Sequence, residues 1–548
     1  MIDKARMLSD TKRLVSAKSI SGTELERSGA ERIMELLDEL DYFKQHKENV
    51  YKQPIAGDPF GRCIIAALLE GGKKSKNTII LTGHYDVVDV DGYAQLKDIA
   101  FDVDEITKRI NELPLDEDAK RDADTGEWIF GRGTADMKFG HALIIELLRH
   151  YSESENLTGL NGNLLYVAVC GEETNSEGML AASAFLNGLA EKRKLHYSAL
   201  LLAECYLNEN MANDPRRYIH YGATGKVMPM FLCAGKGCHA DEPFAGLDAN
   251  SLNAAVYELL AMNTDYCQSK NGECTPPAVC LKMKDLKATY SASIPMYAVS
   301  YYSILTLKLE PEALISSLRM IAMRAFELVL EKRSRDAEAY SKLMNKPMTV
   351  RRFAPCVMTY EELYNEVKKQ YSGDLDAHLK AFAGKLTEKK LELQDISIEL
   401  VRHVYELYGA KQPMIILSFI PPYYPDVYMD PADADAGRLL AAAKDVIDYA
   451  RRQFNEHLEL KDYYMGLSDL SYTGLGEDAG FDTLFKNLAG AGLTYDFPLQ
   501  ALKQLHVPGI VLGGWGKDFH QNSERLNIPY SFDVLPKLYM RIIADILG

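Results

Sequence analysis

Short apolar runs and helix-period segments alternate through the first 213 residues of the chain. The runs "RCIIAALL", "NTIILTGHYDVV", "NLLYVAV" and "YSALLLAE" show little polar alternation, the pattern of strands buried on both faces. Ahead of them, "SISGTELERSGAERIMELLDEL" sets Ser21 and Glu24 in capping-box register and puts Ile33, Leu36, Leu37 and Leu40 at helical spacing. "MKFGHALIIELLRHY" predicts another helix, with Leu143, Leu147 and Leu148 on one face. Strands alternating with helices predict an α/β fold, a sheet flanked by helices. Polar groups collect at the C-terminal ends of the strands, where sites in such sheets lie.

From about Asp214 the texture changes. "RRYIHYGATGKVMPMFLCAGKGCHADEPF" predicts a strand pair and a glycine-rich loop, followed by the helix "SLNAAVYELLAMN". A second strand pair around "YAVSYYSILTLKL" and the helix "PEALISSLRMIAMRAFELVLEKR" complete a small α+β domain inserted into the first. Charged, periodic sequence at about 356–411 ("YEELYNEVKKQY", "EKKLELQDISIELVRHVYELYG") adds helices whose charges read as solvated. The α/β texture resumes at "PMIILSFIPPYYP". The expected division is therefore a catalytic domain formed by 1–213 and 412–548 and an inserted domain over 214–411.

At 548 residues the chain is too long for one simple core. A formal net charge of −16 argues against a phosphate-backbone binder, so no nucleic-acid partner is expected. No apolar run reaches membrane-spanning length, and "MIDKARMLSD" lacks the apolar centre of a signal peptide. Nine cysteines suggest no paired framework, and "CTPPAVC" lacks zinc-ligand spacing. These features predict a reduced cytoplasmic protein without membrane contact.

Five strand-end stretches carry the candidate chemistry: "GHYDVV" (His84, Asp86), "GRGTADMKFG" (Asp136), "GEET" (Glu172, Glu173), "LLLAEC" (Glu204) and "DFHQNSE" (His520). Two imidazoles and several carboxylates form a ligand set for zinc or cobalt. Five ligands exceed one open tetrahedral ion but suit two ions sharing a carboxylate, ~3.5–4 Å apart. Adjacent glutamates then divide the work: where the strand gives way to a turn, one ligates metal and its neighbour serves as general base.

In order and spacing, "GHYDVVDV", "GRGTADMKFG", "GEETNSEG", "GKGCHADEPFAGLDAN" and "HQNSERLNI" resemble the dizinc metallopeptidase family of aminoacylase, carboxypeptidase G and succinyl-diaminopimelate desuccinylase. The style of "RGTADMKFGHA" and the chain length resemble its arginine-utilisation (RocB-like) branch. The resemblance implies a zinc-peptidase-like three-layer catalytic domain with an inserted lid of the dimerisation type. It implies two zinc ions, or cobalt or manganese in their place, with Asp136 bridging. His84 and Glu204 would complete one metal, Glu173 and His520 the other, and the Asp136–Met137 peptide would be cis. Asp86 would orient His84, Glu172 would be the proton shuttle, and His239 of "GCHADEP" would stabilise the oxyanion.

The implied activity is amide hydrolysis of a small N-acyl amino acid or dipeptide, in arginine or amino-acid utilisation. Asp241 and Glu242 depart from the small residues usual after the lid histidine, and Asp241 is a candidate for selecting a cationic substrate end. Ala292 and Ser293 stand where relatives carry an Asn. The chain is expected to be a homodimer through the lid, or a monomer if the added helices cover that edge. Two other readings stand beside this one. One is a catalytically silent metal-binding regulatory protein, against which the complete ligand set argues. The other is a dizinc phosphoester hydrolase, against which the scarcity of rim cations beyond Arg132 and Lys138 argues.

Overall fold

The apolar runs become the centre of one sheet. The computed structural model describes residues 2–205, 216–348, 350–410, 412–475 and 480–548. The chain groups into two compact units, one formed by 1–224, 427–476 and 498–548, the other by 225–426 and 477–497.

In the first unit eight strands lie in the order Val50–Pro54, Cys63–Glu70, Asn163–Val169, Asn77–His84, His196–Leu202, Gly509–Val511, Arg217–His220, Leu458–Lys461. Asn77–His84 pairs in parallel with both neighbours, and His196–Leu202 in parallel with Gly509–Val511. The central strands are buried at almost every position, so helices must cover both faces, as the resemblance implies. The parallel strands all end on one rim, and His84 is the last residue of its strand.

Two helical expectations are revised. The helix after "SISGTELERSG" spans Glu26–Asp38 and begins without a side-chain cap, because the Ser21 hydroxyl donates instead to Asp86 Oδ2 at 2.8 Å. Ile33, Leu36, Leu37 and Leu40 are buried as the spacing predicts. The helix Phe139–Ser152 is buried continuously from Phe139 to Leu148 rather than along one stripe, because it packs within the core of the unit.

The second unit is built on a sheet ordered Val279–Asp285, Tyr297–Thr306, Pro229–Ala234, Met414–Phe419, Val357–Thr359. Met414–Phe419, expected to resume the catalytic domain, pairs antiparallel with Pro229–Ala234 instead. Its run of six buried residues matches a central strand of either sheet, so periodicity alone cannot assign it. Residues 477–497, also expected in the catalytic domain, group with this unit, and so does 412–426. Conversely, 216–224 groups with the first unit. The expected boundary points at 213/214 and 411 lie outside the described residues.

The added segment forms three helices, Tyr360–Gln370, Leu375–Glu388 and Leu393–Leu407. The first opens with a capping box between Thr359 and Glu362. Their charges do face water, but Leu363, Val367, Leu379, Leu400, Val401 and Val404 pack on Met230, Leu232 and Val299 of the sheet. Because strand residues alternate sides, Phe231 points the other way, edge-on to Tyr302 with ring centroids 5.9 Å apart, beneath the helices Ala249–Leu260 and Pro311–Met344. The addition thus gives the lid sheet a covered second face.

Candidate metal centre

The strand ends bring five of the expected ligands together. His84 Nε2 lies 3.0 Å from Asp136 Oδ1, and His520 Nε2 lies 3.2 Å from Asp136 Oδ2 and 3.0 Å from Glu173 Oε2. Two donor groups result, His84–Asp136–Glu204 and Asp136–Glu173–His520, with the donor atoms of each within 4.8 Å of one another. Asp136 belongs to both. It sits in a kinked turn at Thr134–Lys138, and its peptide to Met137 is cis. Asp136 does not cap the helix that follows, which starts without a side-chain cap.

Gly171 explains the paired glutamates. It adopts φ +71°, and a Cβ there would meet Glu177 Oε2 at 2.3 Å. This left-handed residue breaks the strand before Glu172, so the two carboxylates are no longer bound to opposite faces. Asp86 holds the turn: Oδ1 accepts from Glu172 N at 3.2 Å, and Oδ2 from Glu173 N at 3.1 Å. The Asp86 carboxylate also lies 3.6 Å from His84 Nδ1, while that nitrogen's hydrogen-bond partner is the Asp86 carbonyl at 3.1 Å.

Several supports were not anticipated. Glu524 Oε1 accepts from the backbone N–H groups of Gly133 (2.9 Å), Ala135 and Asp136 (both 3.2 Å), and its Oε2 pairs with Arg132 at 2.6 Å. Arg132 in turn donates to the His520 carbonyl at 3.1 Å. Arg132 is thereby a clamp between two ligand loops rather than a free rim cation. Glu26 accepts from Gly171 N at 3.0 Å and pairs with buried Arg62 at 3.1 Å. His141 contacts the His84 carbonyl at 2.7 Å while Tyr166 bonds its other nitrogen. Burial pushes the His141 imidazole down to about 3, so it is neutral and donates that bond. Glu524 stood within the "HQNSE" motif, but a lone acid beside a candidate ligand carries no signal of its own.

The centre is rich in buried negative charge. Burial raises Glu172 and Glu204 well above the carboxylate range and Glu173 to about 7, with neighbouring acids adding to each shift. Burial also raises Asp469, another acid of the centre, to about 7. Burial works against ionised Asp136, but His520 and His84 outweigh it and hold that group below its usual value. Hydrogen bonds to Asp136 and Glu173 raise His520 to about 11. Burial likewise opposes protonated His84, yet Asp136 and Asp86 raise it well above the usual imidazole value. A donor set of two imidazoles and three carboxylates with this surplus of acid fits divalent cations.

His239 and Asp241 belong to the second unit. Both are exposed, and His239 Nδ1 lies 3.3 Å from Asp241 Oδ2 and 3.3 Å from the Asp241 N–H.

A family model, Peptidase family M20/M25/M40, matches residues 80–544. The chain belongs to this family. It is 33% identical over 541 residues to "Uncharacterized protein YqjN" of Bacillus subtilis (strain 168), covering 97% of this chain and 95% of the relative. It is 30% identical over 538 residues to "Protein RocB" of the same organism, covering 98% and 94%. Among solved structures, a tripeptidase from Staphylococcus aureus matches with TM-score 0.52 at 14% identity, covering 100% and 99% of the two chains. Human carnosine dipeptidase 1 matches with TM-score 0.52 at 12% identity, covering 99% and 96%. These likenesses establish the fold, a catalytic α/β unit with an inserted α+β unit. Membership establishes a metal-dependent peptidase or related hydrolase. Among the described residues no helix is long and apolar enough to cross a membrane.

Proposed function

We propose that the protein is a dimetal amide hydrolase acting on a small N-acyl amino acid or dipeptide. The observation that carries this reading is the pair of donor groups sharing Asp136, with Glu172 beside them. His84, Asp136 and Glu204 would hold one ion and Asp136, Glu173 and His520 the other, zinc first and cobalt or manganese as alternatives. A bound metal pair supplies Lewis-acid polarisation of the amide carbonyl and lowers the pKa of a water.

Glu172 is the base. Its carboxylate makes no hydrogen bond among the described residues and stands 4.0 Å from His84 Nε2, so it is held beside the reacting atoms without being consumed by a partner. It takes a proton from the attacking water and delivers it to the leaving nitrogen. Asp86 keeps His84 in orientation and fixes the backbone of the Glu172 turn. The resemblance gives His239 the role of oxyanion donor; its Nδ1 accepts from the Asp241 N–H at 3.3 Å. The resemblance to the arginine-utilisation branch favours basic amino-acid substrates in the cytoplasm. The outer strand Val279–Asp285 supports homodimer formation through the lid: it ends its sheet and exposes Val279, Leu281 and Met283, while the buried residues of the added helices pack against a face of the sheet.

The test is hydrolysis of N-acyl amino acids and dipeptides by the zinc-loaded protein, weighted toward arginine, beside Glu172→Ala. Amide turnover lost in the variant with metal retained supports the reading. Cleavage of phosphoesters but no amide, or turnover that survives in the variant, would end it.

A further inference from the structure

The turn that begins at Ser468 brings an additional acid to the metal centre. Asp469 is 1% exposed, and neither carboxylate oxygen has a hydrogen-bond partner among the described residues. Two other acids buried nearby, Asp86 and Glu524, are not left in this state. Asp86 accepts from Ser21 and from two backbone N–H groups, and Glu524 accepts from three backbone N–H groups and Arg132.

Asp469 is held close to the reacting groups. The Ser468 hydroxyl donates to Glu204 Oε2 at 3.4 Å, which fixes the turn against a candidate ligand. The field of Asp469 reaches both Glu172 and Glu204, and the groups acting on it are His84 and Asp86, with no lysine or arginine among them. Neither of the two donor groups includes Asp469. A buried, unpaired carboxylate is costly, and the cost is offset when a cation meets it.

We propose that Asp469 receives the protonated amine of the substrate, so that the enzyme selects amides with a free ammonium one carbon from the scissile carbonyl. Dipeptides would then be preferred to N-acyl amino acids. This rests on the amide-hydrolase reading and decides between its two substrate classes. Asp469 follows Ser468, whose hydroxyl bonds the candidate ligand Glu204, so a cation meeting Asp469 lies near the reacting carbonyl, as an α-ammonium does and a distal guanidinium does not.

The test uses the zinc-loaded full chain and Asp469→Asn, which keeps the side-chain shape and removes a buried charge. Metal content is counted in both. Calorimetry with L-alaninamide, propionamide and 4-guanidinobutyramide measures binding, and Ala-Ala against N-propionyl-alanine measures turnover. Wild type is expected to bind alaninamide about 100-fold more tightly than propionamide and to favour Ala-Ala in kcat/KM by a similar ratio. In Asp469→Asn both ratios should fall to within about tenfold, with two metals retained. Unchanged ratios overturn the proposal. Loss of metal in the variant also overturns it, making Asp469 a metal-holding acid, as does a defect confined to 4-guanidinobutyramide. If neither amide is cleaved, the hydrolase reading fails, while the binding ratios still decide the role of Asp469.

Discussion

Asp86 and Asp469 are both buried acids at one centre, and the chain treats them oppositely. Ser21 and the amides of Glu172 and Glu173 donate to Asp86. Burial opposes its charge, yet its contact with His84 outweighs that and holds its pKa below the usual value. Asp469 has no such donors, and burial lifts it to about 7. An acid whose hydrogen bonds are complete in the protein is framework. One left incomplete, in a protein that could have supplied a donor, is kept for what arrives from outside. Glu524 belongs with the first and Glu172 with the second.

The comparison breaks most visibly at Glu172. Glu172→Gln should lower kcat by about 10²–10⁴-fold while metal content stays at the wild-type level; a modest loss would move Glu172 out of the reacting group. Glu524→Ala strips the partner from buried Arg132 and from three backbone amides, and should cost about 3–5 kcal/mol in denaturant unfolding. If stability were unchanged, Glu524 would not be framework. Asp86→Asn retains one acceptor oxygen and turns an amide group toward backbone N–H donors. A loss of about 1–3 kcal/mol is expected, read from the same unfolding curves.

The pH dependence of the metal-free protein sharpens the same division. Glu173, raised to about 7, holds a proton in the folded protein that the unfolded chain releases near pH 4.5, so stability declines as pH rises through that window. His520 is raised to about 11; its stabilising contribution is complete below the ordinary imidazole pKa near 6.5 and is lost as pH rises toward 11. Both act in one direction. Metal-free protein should lose thermal stability between pH 5 and 9, and added zinc should restore most where the loss is largest, with protons released on binding. A metal-free protein that gains stability over this range would contradict the assignment. The smallest effect is expected at Asp241: exposed on a loop, Asp241→Ala should change stability by less than about 0.5 kcal/mol. Retained preference for basic substrates in that variant would end its proposed selective role.

What the sequence discloses follows from the reach of its signals. Buried strands leave apolar runs, and polar residues at their ends stand out against them. His84, Asp136, Glu173, Glu204 and His520 could therefore be read individually, and the resemblance supplied their pairing. The residues that hold them could not. Ser21 sits where a helix cap fits equally well, and its bond to Asp86 depends on a contact 65 residues away. Glu524 acts across 388 to 392 residues on a loop that its own neighbours do not announce. Asp469 lies in a short turn without periodicity. Met414–Phe419 is ambiguous for another reason, since six buried residues fit the centre of any covered sheet. In the added helices the charged positions dominate the pattern, and the buried stripe beneath them shows only once the sheet it packs on is in place.

The most direct measurement of the central claim is metal stoichiometry in wild type and Asp136→Asn, taken after saturation with zinc and removal of excess. Asp136 belongs to both donor groups, so the account predicts two ions per wild-type chain and weakened binding of both in the variant. A single ion in wild type, or a variant that still holds two with wild-type affinity, would contradict a centre built on that shared carboxylate.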